Sequence, residues 1–346
     1  MTLRIDVLCN DGSPLGITSK DLWGQGERGI GVGGSEYALL TLCEEWTKAG
    51  NRIRLYNDPR NPRDTQFGQY PISAFQPSED RDVLIVFRSP NEKAIVAKGL
   101  KVWLSCDQYT IGSFAKFAPT MDKIVVISDF HNQYFKQEYG IVNGIKIDIP
   151  IRVHDLPPNL PEKRKNSLIF TSVPDRGLML LREAWNTIKK KVPSATLTIT
   201  SDYRLWGLAE PRNDKFRTQW VGAEDVTFWG AVPRAQLLDI QLEADLYVYP
   251  CIYDELFCVS AAEAQVCGAY PITSNIGALA TTNMGTIVTA HPQNNRTAFM
   301  NAFIRNIEER LQDENLKQEQ EKVRQKAIKR FHPENILKQW DELVFT

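Results

Sequence analysis

Asp245–Ala280 reads DLYVYPCIYDELFCVSAAEAQVCGAYPITSNIGALA, and this stretch decides the fold. Asp245–Tyr249 is a run of aromatic and β-branched residues stopped by Pro250, which predicts a short buried strand. A loop follows. A helix is then expected from about Leu256 to Val266, broken by Gly268. Ala269–Thr273 predicts the next strand, so the unit is strand–loop–helix–strand, the building block of a parallel sheet. Two carboxylates stand out within it. Glu255 is at the mouth of the expected helix and Glu263 lies eight residues on, a little over two turns, so both are expected on one side. Glu263 sits among Ala261, Ala262 and Ala264, where a solvated face would carry more charge. Taken singly, Glu255 also fits an acid favoured by a helix N-terminus, and Glu263 a surface residue.

Upstream, the same alternation recurs. Leu168–Val173 (LIFTSV) predicts a strand, followed by Pro174-Asp175-Arg176-Gly177 and a helix with Leu178, Leu181, Trp185 and Ile188 on one face. Arg176 therefore stands at a strand-to-helix turn, where a cation and free N–H groups suit a diphosphate. Ala195–Thr200 and Val226–Trp229 predict further strands, and Ser201–Glu224 a long segment that could cover a ligand. Gly277 and Ala278 follow the last strand, with amides expected at a helix N-terminus facing phosphate. Leu156–Asn166 (LPPNLPEKRKN) carries three prolines and a charge run and is the best interdomain linker.

The first half repeats the pattern. Leu3–Cys9 predicts a buried strand that runs into a loop containing Gly29, Gly31, Gly33 and Gly34. Ser35 is the expected N-cap of a helix through Lys48. A glycine-rich loop opening a helix after the first strand is the usual phosphate cradle, although GxGxxG is absent. Arg52–Tyr56, Asp82–Phe87, Lys101–Ser105 and Lys123–Ser128 predict more strands. Arg88 and Asp107 fall just past two of them, at the carboxyl ends that line the crevice of a parallel sheet. The expected divisions are residues 1–155, a linker at 156–166, a second domain at 167–330 and a last helix within 331–346.

Composition sets the outer bounds. A chain of 346 residues is enough for about two domains. The net charge is −1, from 41 basic and 42 acidic residues, which argues against a broad nucleic-acid surface. Six scattered cysteines without CxxC pairs, and only four histidines, disfavour a zinc site and fit a reducing cytosol. The first strand begins at Leu3, which leaves no room for a signal peptide. No apolar run is long enough to span a membrane, while peripheral contact with one stays open.

The spacing of Glu255 and Glu263, the small-residue helix between them, the GAYPITS run and the Gly277-Ala278 turn together resemble the signature of retaining glycosyltransferases of the two-Rossmann (GT-B) type, family 4. GGSE with AGNRIRLY, KIVVIS, Arg176-Gly177 and VTFWG match further elements of that family. The implied fold is α/β: two Rossmann-like domains with parallel sheets facing a cleft. The implied reaction moves a hexose from a UDP- or GDP-linked donor to a glycan, lipid or small-molecule acceptor, without metal or resident cofactor. No Asp-x-Asp stands at a strand end, so a metal is not required. The resemblance implies that Glu263 bonds the ribose hydroxyls and that Glu255 contacts the donor sugar and steadies positive charge at its anomeric carbon. It implies that Arg176 meets the diphosphate, Gly33 and Gly34 the donor phosphates and acceptor, and the backbone at Trp229 the base. It also implies that the last helix packs back on the first domain.

Three departures are visible. Cys106 precedes Asp107 where many relatives have His; Thr171-Ser172-Val173 lacks a second arginine; Ala278 replaces a glycine. Two other classes fit the same architecture: a non-catalytic sugar- or nucleotide-binding protein, and a nucleotide-sugar isomerase or phosphorylase.

Overall fold

The computed structural model describes residues 2–10, 16–206 and 211–346. They form two compact units, Met1–Arg28 with Val32–Pro150 and Pro333–Thr346, and Gly29–Gly31 with Ile151–His332.

The first unit is built on strands β1 (Arg4–Cys9), β2 (Arg52–Tyr56), β3 (Gly68–Tyr70), β4 (Val83–Phe87), β5 (Leu100–Leu104), β6 (Lys123–Val126) and β7 (Gly144–Lys146). They pair in the order β3-β2-β1-β4-β5-β6-β7, all parallel. β4 is buried along its whole length, as expected of a central parallel strand with both faces covered. The helix Gly34–Lys48 buries Leu39, Leu42, Cys43 and Trp46 at helical spacing. Its N-cap is Gly33, not the expected Ser35, because Gly34 already has helical geometry. The last helix, Pro333–Leu343, sets Trp340 edge-on against Trp46, with ring centroids 5.1 Å apart.

The second unit contains β8 (Arg164–Phe170), β9 (Thr196–Ile199), β10 (Val226–Phe228), β11 (Ala244–Tyr249), β12 (Tyr270–Ser274) and β13 (Thr286–Val288). Their order is β10-β9-β8-β11-β12-β13, again all parallel. The β8–β11 register sets Leu246 opposite Leu168 and Tyr247 opposite Ile169. Both sheets therefore reverse their winding once, at β1/β4 and at β8/β11. Ligands of such sheets bind beyond the carboxyl ends of the strands at that reversal.

Several boundaries differ from those expected of the sequence. The chain passes into the second unit after Pro150, not Asp155, since Ile151 already donates its N–H to Phe331 O at 2.9 Å. Part of the expected linker is strand, because β8 starts at Arg164. β3, β7 and β13 are three-residue strands at or near sheet edges, too short and polar to show a pattern. Residues 207–210, within the expected covering segment Ser201–Glu224, lie outside the described residues. Among the described residues no helix is long and apolar enough to cross a membrane. All six cysteines are reduced and buried.

Candidate functional site

The turn after β8 and the turn after β11 meet at the reversal of the second sheet. Gly177 makes this contact: its φ is +123°, and a Cβ there would lie 2.2 Å from Pro250 O. With no side chain at that point, Arg176 is brought to the loop that carries Glu255. Arg176 Nη1 lies 3.0 Å from Glu255 Oε1. The Tyr249 phenol, at the end of β11, donates to the same oxygen at 2.6 Å. Ser172 Oγ, just past β8, is 3.0 Å from the Tyr249 hydroxyl. The guanidinium stacks on Tyr253, 4.0 Å from its centroid, with Trp206 at 5.3 Å. Burial opposes the charge on Arg176, yet Glu255, Tyr249 and Tyr253 beside it hold its pKa above the ordinary guanidinium value. Burial, with Cys251 and Glu255 nearby, pushes the Tyr249 phenol well above its usual range, so it is a proton donor at neutral pH.

The backbone of Glu255 is clamped as well. Its N–H donates to Tyr253 O at 2.8 Å, and its carbonyl accepts from Ala278 N at 2.7 Å. A Cβ on Gly277 would lie 2.5 Å from Glu255 O and 2.6 Å from Glu255 N. Gly277 and Ala278 thus brace the glutamate. The expected free phosphate-facing amide at Ala278 is already used, and the helix it opens, Leu279–Thr282, has only four residues.

Glu263 lies elsewhere. The helix runs Val259–Val266, not from Leu256, because Cys258 at its N-cap has φ +73° and ends the helical path there. Glu255 is outside it, so the two carboxylates do not share a helix face. Glu263 is 4% exposed, beside the fully buried Ala261, Ala262 and Ala264, and so is not a surface residue. Arg234 Nη1 donates to its Oε1 at 2.7 Å. Arg234 Nε reaches Asp155 Oδ2 at 3.0 Å, and Arg152 Nε reaches the same oxygen at 2.7 Å. All four side chains are nearly enclosed, which is stable only while every charge is paired.

Trp229 follows β10 and is 52% exposed, with its N–H on Ile199 O at 2.9 Å. The loop beyond it is held by buried Asp202, which accepts from Ala231 N at 2.9 Å and Asn213 Nδ2 at 2.6 Å. Burial would raise the Asp202 carboxyl, but Arg204 and the Ala231 amide hold it below its ordinary value. Gly31 N donates to Val232 O nearby, at 3.1 Å.

In the first unit, Arg88 and Asp107 do come together at the carboxyl ends of β4 and β5. Arg88 Nε is 2.5 Å from Asp107 Oδ2, and Nη1 is 3.3 Å from Glu36 Oε1. Arg88 has φ +65°, a conformation that costs a non-glycine residue and is concentrated at functional sites. The Trp103 indole donates to its carbonyl at 2.8 Å. Gly33 is extended, with φ −71°, and Gly34 opens the helix whose first turn holds Glu36.

These two parallel sheets and their loops match known proteins. Residues 165–309 match the profile of the family Glycosyl transferases group 1. A D-inositol 3-phosphate glycosyltransferase of Segniliparus rotundus is 31% identical over 120 residues, which is 34% of this chain and 26% of that relative. The chain thus spans about a quarter of the length of the curated relative it matches. A glycosyltransferase of Rickettsia africae has the same fold, with a TM-score of 0.71 and 15% identity over 99% of this chain and 98% of that one. The Anabaena protein HepE, solved in complex with UDP and glucose, superposes with a TM-score of 0.67 and 14% identity, covering 98% of both chains. The fold is therefore GT-B, α/β with two Rossmann-like units.

Four residues of the candidate site, Tyr249, Ser172, Tyr253 and Arg234, are not singled out by the sequence. Tyr249 lies in a strand that reads as pure core, and only the β8–β11 register shows that its hydroxyl ends beside Ser172. Arg234 looked like an ordinary residue of the first helical turn after Pro233. Glu36 was visible only as part of GGSE.

Proposed function

We propose that this chain is a retaining glycosyltransferase that takes a hexose from a UDP- or GDP-linked donor and passes it to a glycan, lipid or small-molecule hydroxyl. One observation carries the reading: a guanidinium and a braced carboxylate, Arg176 and Glu255, meet at the reversal point of the sheet that matches the family profile. A diphosphate leaving group carries two charges that a fixed cation stabilises as the glycosidic bond breaks. In this reading Arg176 meets the diphosphate. Glu255 faces the sugar and steadies positive charge at its anomeric carbon. Glu263 bonds the ribose hydroxyls, and the backbone at Trp229 meets the base. Gly33, Gly34 and Asp107 belong to the acceptor and phosphate side.

The bond between anomeric carbon and diphosphate oxygen breaks, with its electron pair leaving on the diphosphate. The acceptor oxygen bonds to that carbon, and its proton passes to the diphosphate oxygen that has just left. Here a guanidinium supplies the positive charge, so we expect turnover to be unchanged by EDTA. HepE, which shares this fold and was solved with UDP and glucose bound, lends support to a nucleotide-sugar donor.

Calorimetry with UDP, GDP and their hexose conjugates tests the reading. Glu263→Ala is expected to weaken nucleotide binding at least tenfold, in line with loss of a charged hydrogen bond. Unchanged nucleotide affinity in that variant rejects the ribose assignment. Product analysis with and without acceptor separates transfer from isomerase or phosphorylase chemistry, and binding with no product marks a non-catalytic receptor.

A further inference from the structure

The carboxylate of Glu255 is loaded unevenly. Oε1 receives both Tyr249 Oη and Arg176 Nη1, at 2.6 and 3.0 Å. Among the described residues no donor reaches Oε2. Glu255 is 7% exposed, so that second oxygen is an acceptor in a nearly closed place. The Tyr249 hydroxyl is fully buried and is itself set by Ser172 Oγ, whose own residue is fixed when Ser201 Oγ donates to Ser172 O. This chain of Ser201, Ser172, Tyr249 and Glu255 crosses from β9 through β8 to β11.

We infer that Tyr249 is a positioning residue for Glu255: by holding Oε1 with a hydroxyl fixed by Ser172, it presents Oε2 to a hydroxyl of the donor sugar. The inference rests on the proposed function above, because it assumes that a nucleotide sugar occupies this crevice. A carboxylate held by a neutral donor and a guanidinium keeps its charge and orientation before substrate arrives, so no reorganisation is needed at the moment of reaction. Alone, Arg176 would have to serve both Glu255 and an incoming diphosphate. With Tyr249 in place, Glu255 stays anchored when Arg176 turns to the phosphate.

The test uses the full chain and three proteins: the wild type, Tyr249→Phe and Ser172→Ala. Tyr249→Phe keeps the ring in the core and removes only the hydroxyl. Turnover of the nucleotide hexose that the wild type accepts is expected to fall about ten- to a hundredfold in Tyr249→Phe and about threefold in Ser172→Ala, as for hydrogen bonds to a charged and a neutral group. The affinity for the matching nucleoside diphosphate without sugar is expected to stay within about twofold, since Tyr249 acts on the sugar end. A purely structural role would instead lower the melting temperature and the nucleoside-diphosphate affinity together with turnover. That result, or wild-type turnover in Tyr249→Phe, overturns the inference while the donor assignment stands. Failure of the wild type to bind any nucleotide sugar removes the donor assignment and the inference with it. If Tyr249→Phe does not fold, Ser172→Ala decides: unmoved turnover rejects the inference.

Discussion

Each unit puts an arginine against a carboxylate just past the strands where its sheet reverses, but they do so by opposite means. In the second unit the geometry rests on glycine. Gly177 and Gly277 let backbone touch backbone, and Arg176, Tyr249 and the Ala278 amide then fix Glu255. In the first unit the geometry rests on strain. Arg88 itself adopts φ +65°, and its guanidinium faces two carboxylates, Glu36 and Asp107. One guanidinium against one carboxylate, backed by aromatic rings, leaves room for an anion. One guanidinium between two carboxylates leaves an acceptor-rich surface, which suits hydroxyl groups. Under the proposed function, the second unit would take the phosphorylated donor and the first the acceptor.

The sharpest break of this comparison is Gly177→Val. Its side chain would overlap Pro250 backbone by more than any local shift absorbs, so we expect a loss of about 4–5 kcal/mol or failure of the second unit to fold. Urea unfolding followed by tryptophan fluorescence measures it. Full stability in that variant would mean that the two turns need not touch. Arg234→Ala comes next, with an expected cost of about 3–4 kcal/mol, because Glu263 and Asp155 are left buried beside an absent cation. Arg234→Lys is expected to recover part of it.

The first unit has its own signature, in acid. His131 is fully buried, and burial lowers its pKa to about 3 from an ordinary 6.5. A depressed histidine pKa means that the unfolded chain binds the proton first. Stability is therefore complete above pH 6.5 and is lost as pH falls toward 3. At pH 5 the loss is about 2 kcal/mol relative to pH 8. His131→Phe is expected to flatten that slope in unfolding curves taken at several pH values. The smallest effect on stability is expected for Arg88→Gly. Relief of about 1 kcal/mol of backbone strain offsets part of the ion pairing that the largely buried Glu36 and Asp107 lose. Acceptor-dependent turnover should nevertheless drop while nucleoside-diphosphate affinity holds. Loss of both together would reject the proposed split between an acceptor side and a donor side.

What could be read from sequence follows from how far each signal reaches along the chain. β2 and β4 were visible because RIRLY and VLIVF carry their burial in their own residues. Arg176 and Glu255 were visible because a turn beside a strand end is a local feature. The helix carrying Glu263 was started too early, since LFCVS is apolar enough to pass for helix and nothing in it announces the positive φ of Cys258. The brace on Glu255 was hidden for a different reason. Tyr249, Ser172 and Ala278 reach it from the ends of three strands, and only the pairing of β11 with β8 and β12 brings them together. The Arg234–Glu263 pair spans 29 residues and needs the same tertiary information.

Enclosure of every thiol has a practical corollary. Cys9, Cys43 and Cys106 belong to one unit and Cys251, Cys258 and Cys267 to the other, and all six are buried in the native state. An alkylating reagent should therefore leave the native protein unlabelled and mark each half only as it opens. Peptide mass spectrometry after timed exposure would then show which half lets go first, with no engineered probe.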